Sequence, residues 1–264
     1  MFPTKMISAE DIEFLIIGFN SQKESLICLK SIDTFEPKCR VSFLDNGSQT
    51  ESQELKSYIQ NRTRWRYYRN SINLGVVGGR NLLLSRSSSN LLVFMDNDAE
   101  LTTPVSSIIA SAYKSDPNIG MVGYEGILLD PNLNDYTYRG IKMEVDAISG
   151  YFQCIPRSIL TQVGLLTKYT LYGKEDIDYG LRVKERGYKN IILPGFQIKH
   201  IRHAASSTLN AELKNHAELL NKKVFFQYWS EKAHLFEVNR KNMNEIACIE
   251  CDEVWHKKLS QPQN

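Results

Sequence analysis

Apolar runs rich in branched and aromatic residues alternate with stretches of helical period through the first half of the chain. Residues 12–19, 40–44, 65–68 and 91–95 predict strands, and 24–35, 51–59, 79–84 and 105–113 predict the helices between them. That rhythm predicts an α/β fold: βα units around a Rossmann-like, mostly parallel central sheet flanked by helices. Ligands of such sheets lie beyond the carboxyl ends of the strands, so the polar residues just after each run are the first candidates for chemistry.

Between residues 119 and 150 the rhythm breaks into shorter strand-like pieces carrying Tyr124, Tyr136, Tyr138 and Asp130-Pro131, which predicts an insertion over the sheet. Helices are predicted over 156–163 and 175–186, the second closed by Gly187, followed by a strand over 190–193. From residue 206 onward, helical sequence with Leu213, Leu219, Leu220, Val224 and Phe225 predicts a tail packed on the core. The expected division is an α/β domain over 1–205 and a C-terminal helical extension over 206–264.

Composition narrows the class. The 264 residues are 42% hydrophobic and 23% charged, ordinary globular usage that excludes disordered, collagen-like and disulfide-scaffold chains. Thirty-two Lys and Arg against 30 Asp and Glu leave a net charge of +2, too balanced for a nucleic-acid footprint. The run 12–19, interrupted by Glu13 and Gly18, is far shorter than the roughly 20 residues that span a bilayer. With no transmembrane segment and no signal peptide visible, peripheral membrane contact is left open. The 5 cysteines are scattered and odd in number, which predicts a reducing, cytoplasmic compartment.

Candidate chemistry follows the strands. Asp96-Asn97-Asp98 comes directly after residues 91–95, where carboxylates two apart can face one hard cation or, equally well, form an Asx turn. Glu175, Asp176 and Asp178 open a predicted helix, whose macrodipole tolerates negative charge and whose end can reach into a cleft and take a proton. Asp178 is expected to cap that helix and pair with Arg182 at i,i+4, a contribution of about 0.5 kcal/mol. His200 and, more weakly, His203 offer imidazole ligands. Cys248-x2-Cys251 with His256 lacks the second pair that a zinc site needs. Glycine-bearing turns at 44–48 and 73–81 allow a close backbone approach of phosphate or ribose, although Gly75, Gly78 and Gly79 do not have dinucleotide-fingerprint spacing.

Taken in order, these motifs resemble those of the inverting glycosyltransferases of family 2, with the GT-A fold. The matching segments are Ile16-Ile17-Gly18-Phe19-Asn20, Leu44-Asp45-Asn46-Gly47-Ser48, Asn73-Leu74-Gly75 with Gly78-Gly79-Arg80-Asn81, Asp96-Asn97-Asp98, Glu175-Asp176-x-Asp178-Tyr179-Gly180-Leu181-Arg182, and His200. They extend over about residues 12 to 205. The segment Asn221-Lys222-Lys223-x-Phe225-Phe226-x-x-Trp229 is similar to the helix that often ends these domains. The acidic motif is most similar to the rhamnosyl and galactofuranosyl transferase branch.

The resemblance implies transfer of a sugar from a UDP- or dTDP-sugar donor to the hydroxyl of a carbohydrate or lipid-linked acceptor, in glycan or polysaccharide biosynthesis. It implies nucleotide-sugar contacts from Asn20, Asp45, Asn73, Gly75, Arg80, Asp96 and Asn97, with Mn²⁺ or Mg²⁺ held by Asp96, Asp98 and His200. Asp176 matches the general base, with Glu175 beside it, and the insertion from Tyr124 to Gly150 with the loop at Tyr172 would line the sugar and acceptor side. Gly18-Phe19-Asn20 departs from the commoner Thr-Tyr-Asn. A sugar nucleotidyltransferase would carry a Gly-rich, basic loop after the first strand, which Asn20-Ser21-Gln22-Lys23 lacks. A non-catalytic nucleotide-binding module would have no use for the intact set of Asp96, Asp98, Asp176 and His200.

Cys248 and Cys251 lie beyond every matched motif. A double Cys248→Ser, Cys251→Ser variant is expected to keep the wild-type melting temperature, and a large drop together with stoichiometric zinc in the wild type would contradict it.

Overall fold

The runs 12–19, 41–44 and 91–95 are almost wholly buried, as in strands covered by helices on both faces, whereas 65–68 buries only Trp65. The computed structural model describes residues 7–130, 132–167, 173–201, 219 and 223–232. The first half runs β1 (Ile12–Gly18), α1 (Gln22–Phe35), β2 (Arg40–Asp45), α2 (Gln53–Gln60), β3 (Trp65–Arg69), α3 (Gly75–Arg86), β4 (Leu91–Met95), β5 (Ala99–Leu101) and α4 (Ser106–Ser115). It continues with β6 (Ile119–Gly123), β7 (Glu125–Leu129), β8 (Asp135–Arg139), β9 (Met143–Val145), β10 (Ala147–Ile148), β11 (Phe152–Pro156) and α5 (Arg157–Val163). After these come α6 (Glu175–Glu185), β12 (Lys189–Ile192), β13 (Ile198–His200) and a helical segment over 223–229, here α7.

The central sheet has eight strands in the order β3-β2-β1-β4-β11-β6-β12-β9. β1, β2, β3 and β4 are parallel, as are β6 and β12, while β11 runs antiparallel between β4 and β6 and β9 antiparallel on the edge. Alternation along each strand sorts the side chains into two cores. Phe14, Ile16, Val93 and Met95 pack with α1 and α2, whereas Leu15, Leu92 and Phe94 pack with α3, α5 and α6. The chain winds outward from β1 to β3 and then returns to place β4 on the other side of β1, so the order reverses there. That switch point is where an α/β sheet opens a crevice for ligands.

The second half departs from the expected insertion. Ile119–Gly123 is wholly buried and lies inside the central sheet as β6, and β9 forms its edge. The rhythm breaks there because β6 leads into β7 with no helix between, not because the chain leaves the sheet. Only β7, β8 and β10 form a separate three-stranded sheet. β11 was absent from the sequence pattern, since its five residues end at Pro156 and abut α5 directly.

Of the expected tail, the described residues include α7. Phe225 and Trp229 are fully buried against Ile127, Leu129, Ala147, Ile177 and Leu181, while Leu219 and Val224 are exposed. Leu213 and Leu220 lie outside the described residues. Trp229 Nε1 donates to Asp178 Oδ1 at 3.1 Å, and Thr167 Oγ1 donates to Asp178 Oδ2 at 2.8 Å. Asp178 is therefore a buried node joining α7, loop and helix rather than the cap expected of it, while the expected i,i+4 pair is present, Arg182 Nη1 standing 3.8 Å from Asp178 Oδ2.

Replacing Asp178 by Ala strands the buried indole N–H of Trp229 and removes the partner of the half-buried Thr167 hydroxyl, which is expected to cost about 1–3 kcal/mol in urea unfolding. A cost of only a few tenths, as for an exposed helix pair, would contradict the burial of this node.

Candidate active site

The alternation of β4 continues into the turn that follows it. Asn97 faces α1, where its Nδ2 donates to Ser21 Oγ at 2.6 Å and Ser25 Oγ at 2.9 Å. This amide, expected to meet the donor, is thus spent on holding the turn to the helix. Ala99 N donates to Asp96 O at 3.0 Å, so the segment is a turn, and it brings the flanking carboxylates together all the same. β5 then pairs antiparallel with β13, setting His200 opposite Ala99, and Ile201 N donates to Asp98 O at 3.0 Å. His200 Nε2 consequently lies 3.2 Å from Asp98 Oδ1.

One ligand atom each from Asp96, Asp98 and His200 lies within 4.8 Å of the others. That spacing fits three bonds of about 2.0–2.6 Å to a shared cation. Oxygen and imidazole donors suit Mn²⁺ or Mg²⁺, and three ligands leave room for phosphate oxygens and water.

Across the crevice, Lys174 takes a left-handed conformation (φ 67°) that turns the chain into α6. Glu175 and Asp176 are the first residues of that helix. Asp176 Oδ2 accepts from Gly150 N at 2.9 Å and Oδ1 from Ile177 N at 2.8 Å. Glu175 Oε2 is buried with no partner among the described residues. Burial, reinforced by the charge of Asp176 and opposed by Arg80, raises Glu175 from the ordinary 4.5 to about 7. Burial also raises Asp176, against the pull of its backbone donors and of Arg80 and Lys174.

Arg80 of α3 connects the two halves. Its buried guanidinium donates through Nη2 to Asp96 Oδ1 at 3.1 Å and to Gly150 O at 2.8 Å. Gly150 in turn supplies the N–H that holds Asp176, and a Cβ there would stand only 3.4 Å from Asp176 Oδ2 and 3.5 Å from Arg80 Nη2.

The other expected donor contacts surround the ends of β1 and β2. Asp45 is buried, accepting from Ser48 N at 2.9 Å, Arg69 Nε at 3.0 Å and Tyr67 Oη at 3.3 Å. With Gly18, Phe19, Gln22, Ser48 and Thr50 it lines a recess. Asn20 accepts from Gln49 N at 2.9 Å. Asn73 Oδ1 accepts from Gly75 N at 2.8 Å, fixing a Gly75 whose φ of 69° favours glycine. Asn46 joins these turns, donating to Asn73 Oδ1 at 2.9 Å and accepting from Leu74 N at 3.2 Å.

Tyr124, expected on the acceptor side, is instead in the core, donating to Gln197 Oε1 at 3.0 Å. His203, Tyr172, Cys248, Cys251 and His256 lie outside the described residues. Cys28, Cys39 and Cys154 are free and buried. Sequence reasoning missed Gly150 and Tyr151. The one available signal was their place just before β11, whose pairing of Phe152 with Met95 sets Tyr151 beside Asp96.

A family model described as glycosyl transferase family 2 matches residues 14–153. An uncharacterized protein of Haemophilus influenzae is 31% identical over 94 residues, which are 34% of this chain and 51% of that protein. A crystal structure of GalNAc-T7 with UDP, GalNAc and Mn²⁺ superposes at a TM-score of 0.63 with 15% identity, covering 72% of this chain and 43% of the other. The mannosyltransferase PcManGT from Pyrobaculum calidifontis, in complex with GDP-Man and Mn²⁺, gives 0.53 with 17% identity, covering 70% and 55%. The chain thus spans about half the length of these relatives. The structural likenesses show the fold, that of GT-A glycosyltransferases. Among the described residues no helix is long and apolar enough to cross a membrane.

Because the folded chain holds Glu175 above its ordinary value, it binds more protons than the unfolded chain between pH 4.5 and about 7. This contribution to stability is fully present below that window and is lost as pH rises through it. In EDTA, the melting temperature of Glu175→Gln should therefore gain on that of the wild type from pH 4.5 to 7. Parallel curves would contradict the raised value.

Proposed function

The chain belongs to glycosyl transferase family 2, and from that premise we propose that it transfers a sugar from a UDP- or dTDP-sugar to an acceptor hydroxyl with inversion. The observation that carries this reading is the meeting of Asp96, Asp98 and His200 with Glu175 and Asp176 across Arg80 at the switch point. Family membership and Mn²⁺ in both structural neighbours support it.

Asp98 and His200, with Asp96, would hold Mn²⁺ or Mg²⁺. A cation there supplies positive charge for the leaving diphosphate. The recess at Asp45 and Phe19 would take the nucleobase, and the turns at Asn20, Asn73 and Gly75 the ribose and phosphates. Arg80 keeps Asp96 aimed at the cation while its second bond fixes Gly150.

Asp176 acts as general base. Its two backbone donors orient it and occupy one lone pair on each oxygen, leaving the others for the acceptor hydroxyl. Burial raises its basicity above that of a free aspartate. Burial keeps the proton on Glu175 to higher pH than on an ordinary glutamate, which eases the charge beside Asp176. Attack from the face opposite the diphosphate inverts the anomeric carbon. The wider role is sugar transfer in glycan or polysaccharide biosynthesis onto a carbohydrate or lipid-linked acceptor, in the rhamnosyl and galactofuranosyl transferase branch. A cytoplasmic setting is supported by the buried free thiols of Cys28, Cys39 and Cys154.

Calorimetry of UDP, dTDP and GDP with Mn²⁺ and again in EDTA tests the donor site. Binding is expected with the cation and not in EDTA, and equal affinities in both would sink the metal role. Once an acceptor is found, Asp176→Asn should lose about 10²- to 10⁴-fold in transfer while keeping nucleotide affinity. Wild-type rates in that variant with a dead Glu175→Gln would move the base to Glu175.

A further inference from the structure

His200 carries an unusual deficit for a metal ligand. Its Nε2 faces Asp98 at 3.2 Å, but its Nδ1 is buried with no hydrogen-bond partner among the described residues. A ligating imidazole ordinarily has its second nitrogen held by a carboxylate or carbonyl, which fixes the ring's orientation. Here that constraint comes from another direction. The ring of Tyr151 stacks on His200 with centroids 4.3 Å apart and planes 18° from parallel.

We propose that Tyr151 is the positioning residue of the cation site, its ring setting the plane of His200 in place of the hydrogen bond that Nδ1 lacks among the described residues; this rests on the metal reading above. Tyr151 can act so because it is itself immobilised. It is buried, meets Tyr124 edge-on at 6.4 Å, and Tyr124 packs on Phe196 at 5.4 Å. Its backbone reaches a second ligand as well, since Asp96 N donates to Tyr151 O at 3.0 Å. One residue therefore braces Asp96 through its carbonyl and His200 through its ring. A side chain without a flat face would keep the first bond and lose the second contact, leaving His200 to rotate about its Cβ–Cγ bond.

The test is Mn²⁺ affinity of the whole chain, measured by electron paramagnetic resonance without nucleotide, for wild type, Tyr151→Phe and Tyr151→Leu. Tyr151→Phe should bind as the wild type does. Tyr151→Leu should bind about 10- to 100-fold more weakly, the range for removing a ligand's outer support. Metal-free NMR supplies the independent readout: ring-current shielding should move the His200 ring protons upfield in wild type and in Tyr151→Phe. Equal affinity in Tyr151→Leu, or a loss in Tyr151→Phe as large as in Tyr151→Leu, would overturn the role. Should Tyr151→Leu fail to fold, unshifted His200 protons in the wild type would do the same. A wild type that takes up no Mn²⁺ would overturn the cation reading itself, and with it this role.

Discussion

Negative charge gathered at a buried guanidinium governs the centre of this molecule. Arg80 bonds Asp96, which shares a ligand cluster with Asp98 and His200, and its charge also acts on Glu175 and Asp176 at the start of α6. Buried carboxylates repel strongly, so Glu175 and Asp176 feel the crowding more than Asp96, whose side chain is 42% exposed. The site's two sides accommodate this charge differently. On the Asp96 side, the arrangement with His200 leaves space for a cation. On the Glu175 side, a proton stays bound to unusually high pH. Arg80 separates these solutions while joining them, because its Nη2 touches both Asp96 and the Gly150 carbonyl.

The fold delivers the groups to this place by three routes. The reversal of strand order between β1 and β4 opens the crevice and places the acidic turn at its floor. The ladder between β5 and β13 folds a residue 102 positions beyond Asp98 back against it, as the short pairing of His200 with Ala99 shows. The antiparallel insertion of β11 beside β4 brings Gly150 and Tyr151 to the same rim, one to hold Asp176 and the other to stack on His200. α6 is anchored from behind by Trp229 of α7 through Asp178.

Much of this was legible along the chain, and the boundary is physical. The first four strands and their helices announce themselves because β1, β2 and β4 are buried on both faces, β3 is rich in aromatic residues, and each run ends in a polar turn. The acidic motifs were visible for the same reason, standing where periodicity stops. What could not be read were relations set by pairing. β11 is too short and too close to α5 to show a period, so Tyr151 carried no sign of its partner. The hydrogen bond from Trp229 spans 51 positions, and it makes a buried acceptor of the Asp178 expected to cap the helix. Asn97 sat inside the right motif, but the alternation that exposes its neighbours turns its own amide inward to Ser21 and Ser25.

The proposed division of the site into a cation half and a proton half is most directly tested by anomalous diffraction at the manganese edge, from crystals grown with Mn²⁺ and a nucleoside diphosphate. A single peak is expected among Asp96, Asp98 and His200, with none near Glu175 and Asp176. A peak bridging Glu175 and Asp176, or density for the diphosphate with no manganese at Asp98, would contradict that division.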